Sequence, residues 1–384
     1  MSSRESVRLF LCGDVMTGRG IDQILPHPSP PHLHESYVRS ARQYVYLAEL
    51  ENGPIPEQRD FTYIWGDALD ELYRVHPDLR IVNLETAVTS SEEAWPRKGI
   101  HYRMNPLNVP CLTAAGFDCC ILANNHTLDW GYAGLEQSLH ALHSAGLRTA
   151  GAGLNVDEAS APAQLPLPDG RRVLVFAYGT LDSGIPPEWA ATETRPGVQV
   201  LTDLSPATCE QIASDVRQYK HAGEIVIVSL HWGANWGYEV PDEHRAFAHR
   251  LIETAGVDII FGHSSHHPKG IEVHRGKLIL YGCGDFINDY EGIGGYEHYR
   301  PYLGLMYFAT VSGATGDLIR LEMTPTCVRQ LSVNLARHED ARWLAEVLSR
   351  ESLQFETPLD LLPDNTLALR WRDSEHVAGS RAAP

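Results

Sequence analysis

Six short apolar runs in this chain end abruptly in carboxylates, amides and imidazoles. Val7–Cys12 leads into Gly13-Asp14, and Leu79–Leu84 carries Asn83 and is followed by Glu85. Asp118–Ala123 gives way to Asn124-Asn125-His126, with Asp129 just beyond. Glu224–Leu230 leads to His231-Trp232-Gly233, and Val257–Phe261 to Gly262-His263-Ser264-Ser265-His266-His267. Lys277–Tyr281 is followed by Gly282-Cys283-Gly284-Asp285, then Asn288 and Asp289. The carboxyl ends of strands are where ligands bind in α/β sheets. A single polar residue there is an ordinary cap, whereas six such ends together mark a site. Carboxylates, an amide and several imidazoles suit either metal-assisted hydrolysis or metal-free acid–base catalysis. The chain has no GxSxG elbow, no GxGxxG and no GxxxxGK[ST], which argues against serine-nucleophile, dinucleotide and P-loop chemistry.

The elements that must position these residues alternate. Another β-type run, Arg171–Tyr178, and helix-like segments at Gly134–Ala145, Pro206–His221 and Asp242–Ala255 separate the runs and predict a layered α/β architecture. Tyr302–Val311 and Leu318–Pro325, joined by SGATGD, read as a β-hairpin, residues 332–350 as a terminal helix and the remainder as a polar tail. The stretch PHPSPPHLHES at 26–36 has too many prolines for regular structure and precedes a helix at Tyr37–Glu51. We read 26–60 as a lid-like insertion in a catalytic domain spanning 1–330, with 331–384 packing on that domain.

Lys and Arg number 31 against 49 Asp and Glu, a net charge of −18 that disfavours nucleic acid and anionic membranes as partners. Seven cysteines with no CxxC pair, among them Cys12, Cys119, Cys120 and Cys283 inside apolar runs, read as buried thiols in a reducing compartment. No window approaches the roughly 20 apolar residues of a membrane span, and the first apolar run is too short for a signal peptide. The expected location is the cytoplasm. Trp130, Trp232 and Trp236 follow site motifs and are placed either to receive an aromatic group or to pack in the core. Arg97, Lys98 and Arg103 would pair with acidic peptide groups or form a solvated face.

The motifs GDVM at 13–16, NLE at 83–85, ANNHTLDWG at 123–131, SLHWG at 229–233, GHSSHHPKG at 262–270 and LYGCGDFINDYEG at 280–292 resemble those of the CapA/PgsA-like family. That family is named for poly-γ-glutamate capsule proteins and is related to the calcineurin-like metallophosphatases. The resemblance covers about residues 6–325 and implies an α/β/β/α sandwich with the site on one edge. Carried over by motif, Asp14, Glu85, Asn125, His231, His263 and His266 would line the centre. They would be the ligands of a divalent metal such as Mn or Zn if one is bound, and His126 would stand where the phosphatases keep a general acid. Three departures weigh against tight dinuclear binding. Met16 replaces a histidine, Asn83 and Glu85 replace the acidic second motif, and GHxxH replaces GHxH. No metal cofactor is therefore the first expectation.

The chain also resembles soluble members of this family, the lasso-peptide epimerases. That resemblance implies inversion of a Cα centre, at a C-terminal tryptophan, in a ribosomally made precursor peptide. The expected partners are that peptide and a leader-peptide-binding protein. Inversion needs two acid–base groups on opposite faces of the carbon. Asp14 is one, and His298, in the glycine-rich stretch 294–299, is the other. Glu85, Asn125, His126, His231, His263, His266 and Trp232 would then bind substrate. The alternatives are metal-dependent hydrolysis of a phosphoester or γ-glutamyl bond, and a role in capsule or polyglutamate assembly.

Overall fold

Val7, Leu9 and Leu11 alternate with Phe10 and Cys12 along the first strand, and both sets are fully buried. A strand apolar on both faces must be covered on both faces. The computed structural model, which describes residues 5–57 and 59–371, shows what covers them.

The chain first lays down β1 (Ser6–Val15), α1 (Arg42–Asn52), β2 (Leu79–Leu84), β3 (Cys119–Ile121), α2 (Gly131–Ser144) and β4 (Arg148–Ala150). It then crosses to a second sheet with β5 (Arg172–Thr180), α3 (Pro206–Tyr219), β6 (Ile225–His231), α4 (Asp242–Ala255), β7 (Ile259–His263), β8 (Ile271–His274) and β9 (Lys277–Leu280). It returns with β10 (Asp285–Ile287), β11 (Leu303–Ser312), β12 (Leu318–Arg329), β13 (Ser332–Leu335), α5 (His338–Ser352), β14 (Leu359–Leu361) and β15 (Leu367–Leu369).

The first sheet runs β14-β15-β12-β11-β1-β2-β3-β4, with β10 beside β1 and β13 beside β12. The second contains β5-β6-β7-β9-β8 in that order. Leu9, Leu11 and Ile81 of one sheet share a core with Val175, Ile227 and Phe261 of the other, so the two sheets pack face to face. Phe10, Val82 and Cys120 turn outward onto Leu135, Leu139 and Leu142 of α2. Phe176, Val228 and Ile260 turn outward onto Ile212 and Val216 of α3 and Phe247 and Leu251 of α4. The result is the expected α/β/β/α sandwich.

The C-terminal part differs from the sequence reading. Residues 332–335 are a strand, with the helix starting only at His338, and 359–369 form a hairpin that extends the first sheet. Leu331 and Val333 are buried two residues apart, a strand period that the helix-like composition of the following segment obscured. The last part of the expected polar tail, 372–384, lies outside the described residues. In the 26–60 insertion the helix begins at Arg42, because a bridge between His32 and Ser40 holds the preceding segment extended. Cys12, Cys119, Cys120 and Cys283 are buried free thiols. Among the described residues no helix is long and apolar enough to cross a membrane.

Candidate functional site

Strand register brings the polar ends together. Parallel pairing sets Asp14 opposite Asn83 on one side and opposite Asp285 on the other. In the second sheet His231 and His263 are partners across β6 and β7. The ends of the two sheets converge because the β1 backbone presses on the turn before β10. Asp14 N–H donates to Gly284 O at 2.8 Å. A Cβ on Gly13 would come within 2.0 Å of that same oxygen, so only glycine allows the approach. Ser264, immediately after His263, holds a φ of +92°, a conformation costing a non-glycine residue about 1–3 kcal/mol and commonest at functional sites.

Asp14 is fully buried, and its Oδ1 accepts from Asn83 Nδ2 at 2.8 Å and from His263 Nδ1 at 2.9 Å. Asn83 also donates to Glu85 Oε2 at 3.3 Å, while Asn124 Nδ2 donates to Asn83 Oδ1 at 3.0 Å and to Leu84 O at 2.9 Å. The two amides therefore lock the carboxylates of β1 and β2 in place. His126 Nδ1 donates to Asp129 Oδ2 at 2.7 Å, which turns its Nε2 toward Glu85 Oε1 at 3.7 Å. Lys98 Nζ stands 2.7 Å from Asp129 Oδ1 and 3.1 Å from His126 Nδ1. On the other flank His266 Nδ1 donates to Asp285 Oδ1 at 2.9 Å, and Asn288 Nδ2 donates to Asp285 Oδ2 at 2.7 Å.

Against this network, several buried atoms have no partner among the described residues: Asp14 Oδ2, Asn125 Oδ1, His263 Nε2 and both ring nitrogens of His231. Buried polar atoms are nearly always satisfied, and each that is not costs about 1–3 kcal/mol. Burial and the second carboxylate shape the charges. Burial would push Asp14 up, but the hydrogen bond and charge of His263, with His231, hold it well below the usual carboxylate range. Burial and the charge of Asp14 push Glu85 well above it. Burial lowers His231 to about 3 and His126 to about 4, so both imidazoles are neutral near pH 7.

This donor set fits divalent cations. Asp14, Glu85 and His231 offer ligand atoms within 4.8 Å of one another, and so do Asp14, His266 and Asp285. Asp14 is common to both groups, and its unpartnered Oδ2 is the kind of atom a cation satisfies. The neutral imidazole of His231 is in the form that binds metal, whereas burial would lower His266 but the charge and hydrogen bond of Asp285 raise it.

Asp14, Glu85, His126, His231, His263 and His266 thus gather in one buried cluster, and Asn125 stands beside them between Asn124 and His126. Asp285 belongs with them and was absent from the expected ligand set. Its signal is in the sequence: Cys-Gly-Asp occurs at 12–14 and again at 283–285, and the two aspartates are register partners. The Met16 departure is offset here, because His266 and Asp285 complete the second group without it. Lys98, read as either a peptide-pairing or a solvated residue, is instead part of the cluster.

Two expected site residues stand outside the hydrogen-bonded cluster. Trp232 is core: its ring stacks between His244 and Tyr281, and its Nε1–H donates to Tyr281 O at 3.0 Å. The carbonyl needs that donor, so the indole faces the helix layer and not a substrate. His298 lies on an exposed turn with its ring 3.9 Å from that of Tyr299, which in turn stacks on His267. Among the described residues it makes no side-chain hydrogen bond, and Asp14 is bonded to Asn83 and His263 instead. Trp130 is also core, donating to Tyr102 O at 3.1 Å beneath Arg103. Trp236 is half-buried beside His266, stacked on Tyr296 at 4.0 Å.

A probable polyglutamine synthesis accessory protein of Mycobacterium tuberculosis is 46% identical over 362 residues, covering 94% of this chain and 95% of that protein. The PGA biosynthesis protein CapA of Bacillus subtilis is 29% identical over 249 residues, 65% of this chain and 61% of that protein. A solved structure described as a novel phosphatase of Mycoplasma pneumoniae aligns over 83% of this chain and 93% of that one, at 13% identity and a TM-score of 0.44. The family model described as bacterial capsule synthesis protein PGA_cap matches residues 8–290, a span holding Asp14, Asp285 and every cluster residue between them, and the chain belongs to that family.

Proposed function

We propose that this chain is a divalent-cation-dependent hydrolase serving polyglutamate or capsule synthesis, with an amide bond of a glutamyl chain as its target. One observation carries the reading: a buried carboxylate, Asp14, is shared by two three-residue ligand groups and keeps an unpartnered oxygen. The relatives' names supply the substrate class, being those of polyglutamine synthesis and PGA biosynthesis proteins. Glu85 and His231 would join Asp14 on one cation, and His266 and Asp285 on the other. Cations there would polarise the scissile carbonyl and make water nucleophilic at neutral pH.

The protein's own groups do the rest. Asn83 holds Asp14 and Glu85 in fixed orientation, with Asn124 bracing Asn83. Asp129 sets the His126 tautomer so that Nε2 carries the lone pair, and the Asp129 charge stabilises the imidazolium formed when that nitrogen takes a proton. His126 can then return the proton to the leaving amine. Burial, with Lys98 offsetting the Asp129 charge, keeps His126 neutral in the resting enzyme and ready to accept.

Peptide epimerisation has less support. A carboxylate held as low as Asp14 is a weak base for a Cα proton, and the exposed His298 does not share its hydrogen-bond network. The test is hydrolysis of γ-glutamyl oligomers by chelator-treated protein with and without added Mn²⁺, beside a nitrophenyl phosphate ester. Manganese-dependent release of glutamate is expected. Protein that takes up no manganese and cleaves neither compound would overturn the reading, and cleavage of the ester alone would replace its substrate.

A further inference from the structure

A second group of ligand-type side chains lies at the far edge of the second sheet. β8 ends that sheet, paired with β9. Ile271 and Val273 pack toward the inner core, so Glu272 and His274 share the opposite face, toward α4. On α4, Arg245, His249 and Glu253 follow one another at four-residue spacing and line one side of the helix. His249 Nε2 stands 2.8 Å from Glu272 Oε1, and its ring lies parallel to that of His274 with centroids 3.7 Å apart. Ligand atoms of His249, Glu272 and His274 all lie within 4.8 Å of one another.

We propose that these three residues bind a zinc-like divalent cation at a site separate from the hydrolytic cluster. Two imidazoles and one carboxylate are a common protein set for zinc, with the remaining position left to water. The group also has the outer hydrogen bonds that orient metal ligands. Tyr281 Oη donates to Glu272 Oε2 at 2.7 Å, leaving Oε1 for the cation. Glu253 Oε1 accepts from His274 Nε2 at 2.9 Å, so the other nitrogen of a neutral His274 ring carries the lone pair.

Glu272 is buried, with its side chain 6% exposed, while those of His249 and His274 are 23% and 19% exposed, so the ion can enter from solvent. The competing cation is Arg245, whose Nη2 is 3.5 Å from Glu272 Oε1 and whose side chain is 39% exposed. That contact is weak enough for a divalent ion to displace. Binding replaces the His249–Glu272 hydrogen bond with two bonds to the ion, the proton of the neutral His249 ring passing from Nε2 to Nδ1. The stacked rings tilt so that both point a nitrogen at one centre, which their partial exposure permits. The ion then staples α4 to the edge strand, whose Ile271 backbone is already held by Ser352 and Thr357.

The test is calorimetric zinc titration of the chelator-stripped full chain, with equilibrium dialysis for stoichiometry. Asp14→Asn, which disables the hydrolytic cluster, is expected to retain one zinc equivalent. Adding His274→Ala to it is expected to weaken that equivalent at least tenfold, and His249→Gln to do the same. Circular dichroism checks that each variant is folded, and His274, which is partly exposed, is the change best tolerated. Zinc binding unaffected by either histidine change would overturn the proposal. So would binding that disappears with Asp14→Asn alone.

Discussion

Two buried polar clusters lie close together in this molecule, and they are built on opposite terms. In the first, Arg19 is sandwiched between the rings of Tyr44 and Tyr102, at 4.0 and 4.4 Å. Its Nε donates to Asp289 at 3.1 Å, its Nη1 to Glu35 at 2.9 Å and to Tyr44 Oη at 3.1 Å, and its Nη2 to the other Asp289 oxygen. Asp289 also accepts from Gly20 N–H at 2.8 Å, and Glu35 from Tyr44 Oη. Each charged group has a partner, and only the Tyr102 hydroxyl has none among the described residues. In the second cluster, around Asp14, the same kinds of residue leave five atoms without a partner among the described residues. A satisfied network rigidifies, here by bolting the 26–60 insertion through Glu35 to the strand-end loop through Asp289. An unsatisfied one is maintained against its cost, which marks it as the place where something else binds.

The sharpest way to break that contrast is to treat both clusters alike. Arg19→Met strands two buried carboxylates and is expected to cost about 3–5 kcal/mol, read from urea unfolding at neutral pH. Asp14→Asn removes a charge from a cluster that is already under-satisfied, and stability should change by no more than about 1 kcal/mol. Manganese-dependent hydrolysis should nonetheless fall by about 10²–10³-fold. If Arg19→Met proved mild and Asp14→Asn unfolded the chain, the division into structural and functional clusters would be wrong. Asn83→Ala comes next. It leaves every ligand in place but unbraced, and should weaken manganese binding by about 10–100-fold, measured by titration of stripped protein. Unchanged affinity would mean that the amide lock does not position Asp14.

Much of this was legible in the sequence, and the remainder was hidden for identifiable reasons. The apolar runs of β1, β2, β6 and β7 show in the sequence because strands buried on both faces are continuously hydrophobic. The site followed because each run stops at a ligand-type residue. Asp285 was visible but undervalued, since its partnership with Asp14 depends on β10 lying parallel beside β1, a pairing between positions 271 residues apart. Lys98 could not be placed, because nothing local distinguishes a lysine folded back onto Asp129 from one in water. Trp232 misled for a related reason. It sits next to His231, but successive strand residues face opposite ways, and where one faces the site the next faces the helices. Swapping it for phenylalanine should cost about 1–3 kcal/mol through the unmet Tyr281 carbonyl, seen in thermal unfolding, with hydrolysis of glutamyl substrate unaltered.

The smallest expected effect is the one that best separates the two chemistries considered for this site. His298 is exposed and its ring lies against that of Tyr299, so His298→Ala should shift stability by under about 0.5 kcal/mol. Hydrolysis needs nothing from it, and the rate should stay within about twofold of the parent, a barrier change of roughly 0.4 kcal/mol. Inversion of a Cα centre requires a second acid–base group opposite Asp14, and no substitute would stand in for the imidazole there. A large loss of activity in this variant, with solvent deuterium entering one Cα of a peptide treated with the parent enzyme, would mean that the 294–299 turn closes over Asp14 when substrate binds. The Asp14 cluster would then be a proton-transfer site, and its unpartnered atoms would be waiting for a peptide carboxylate's hydrogen-bonded waters instead of cations.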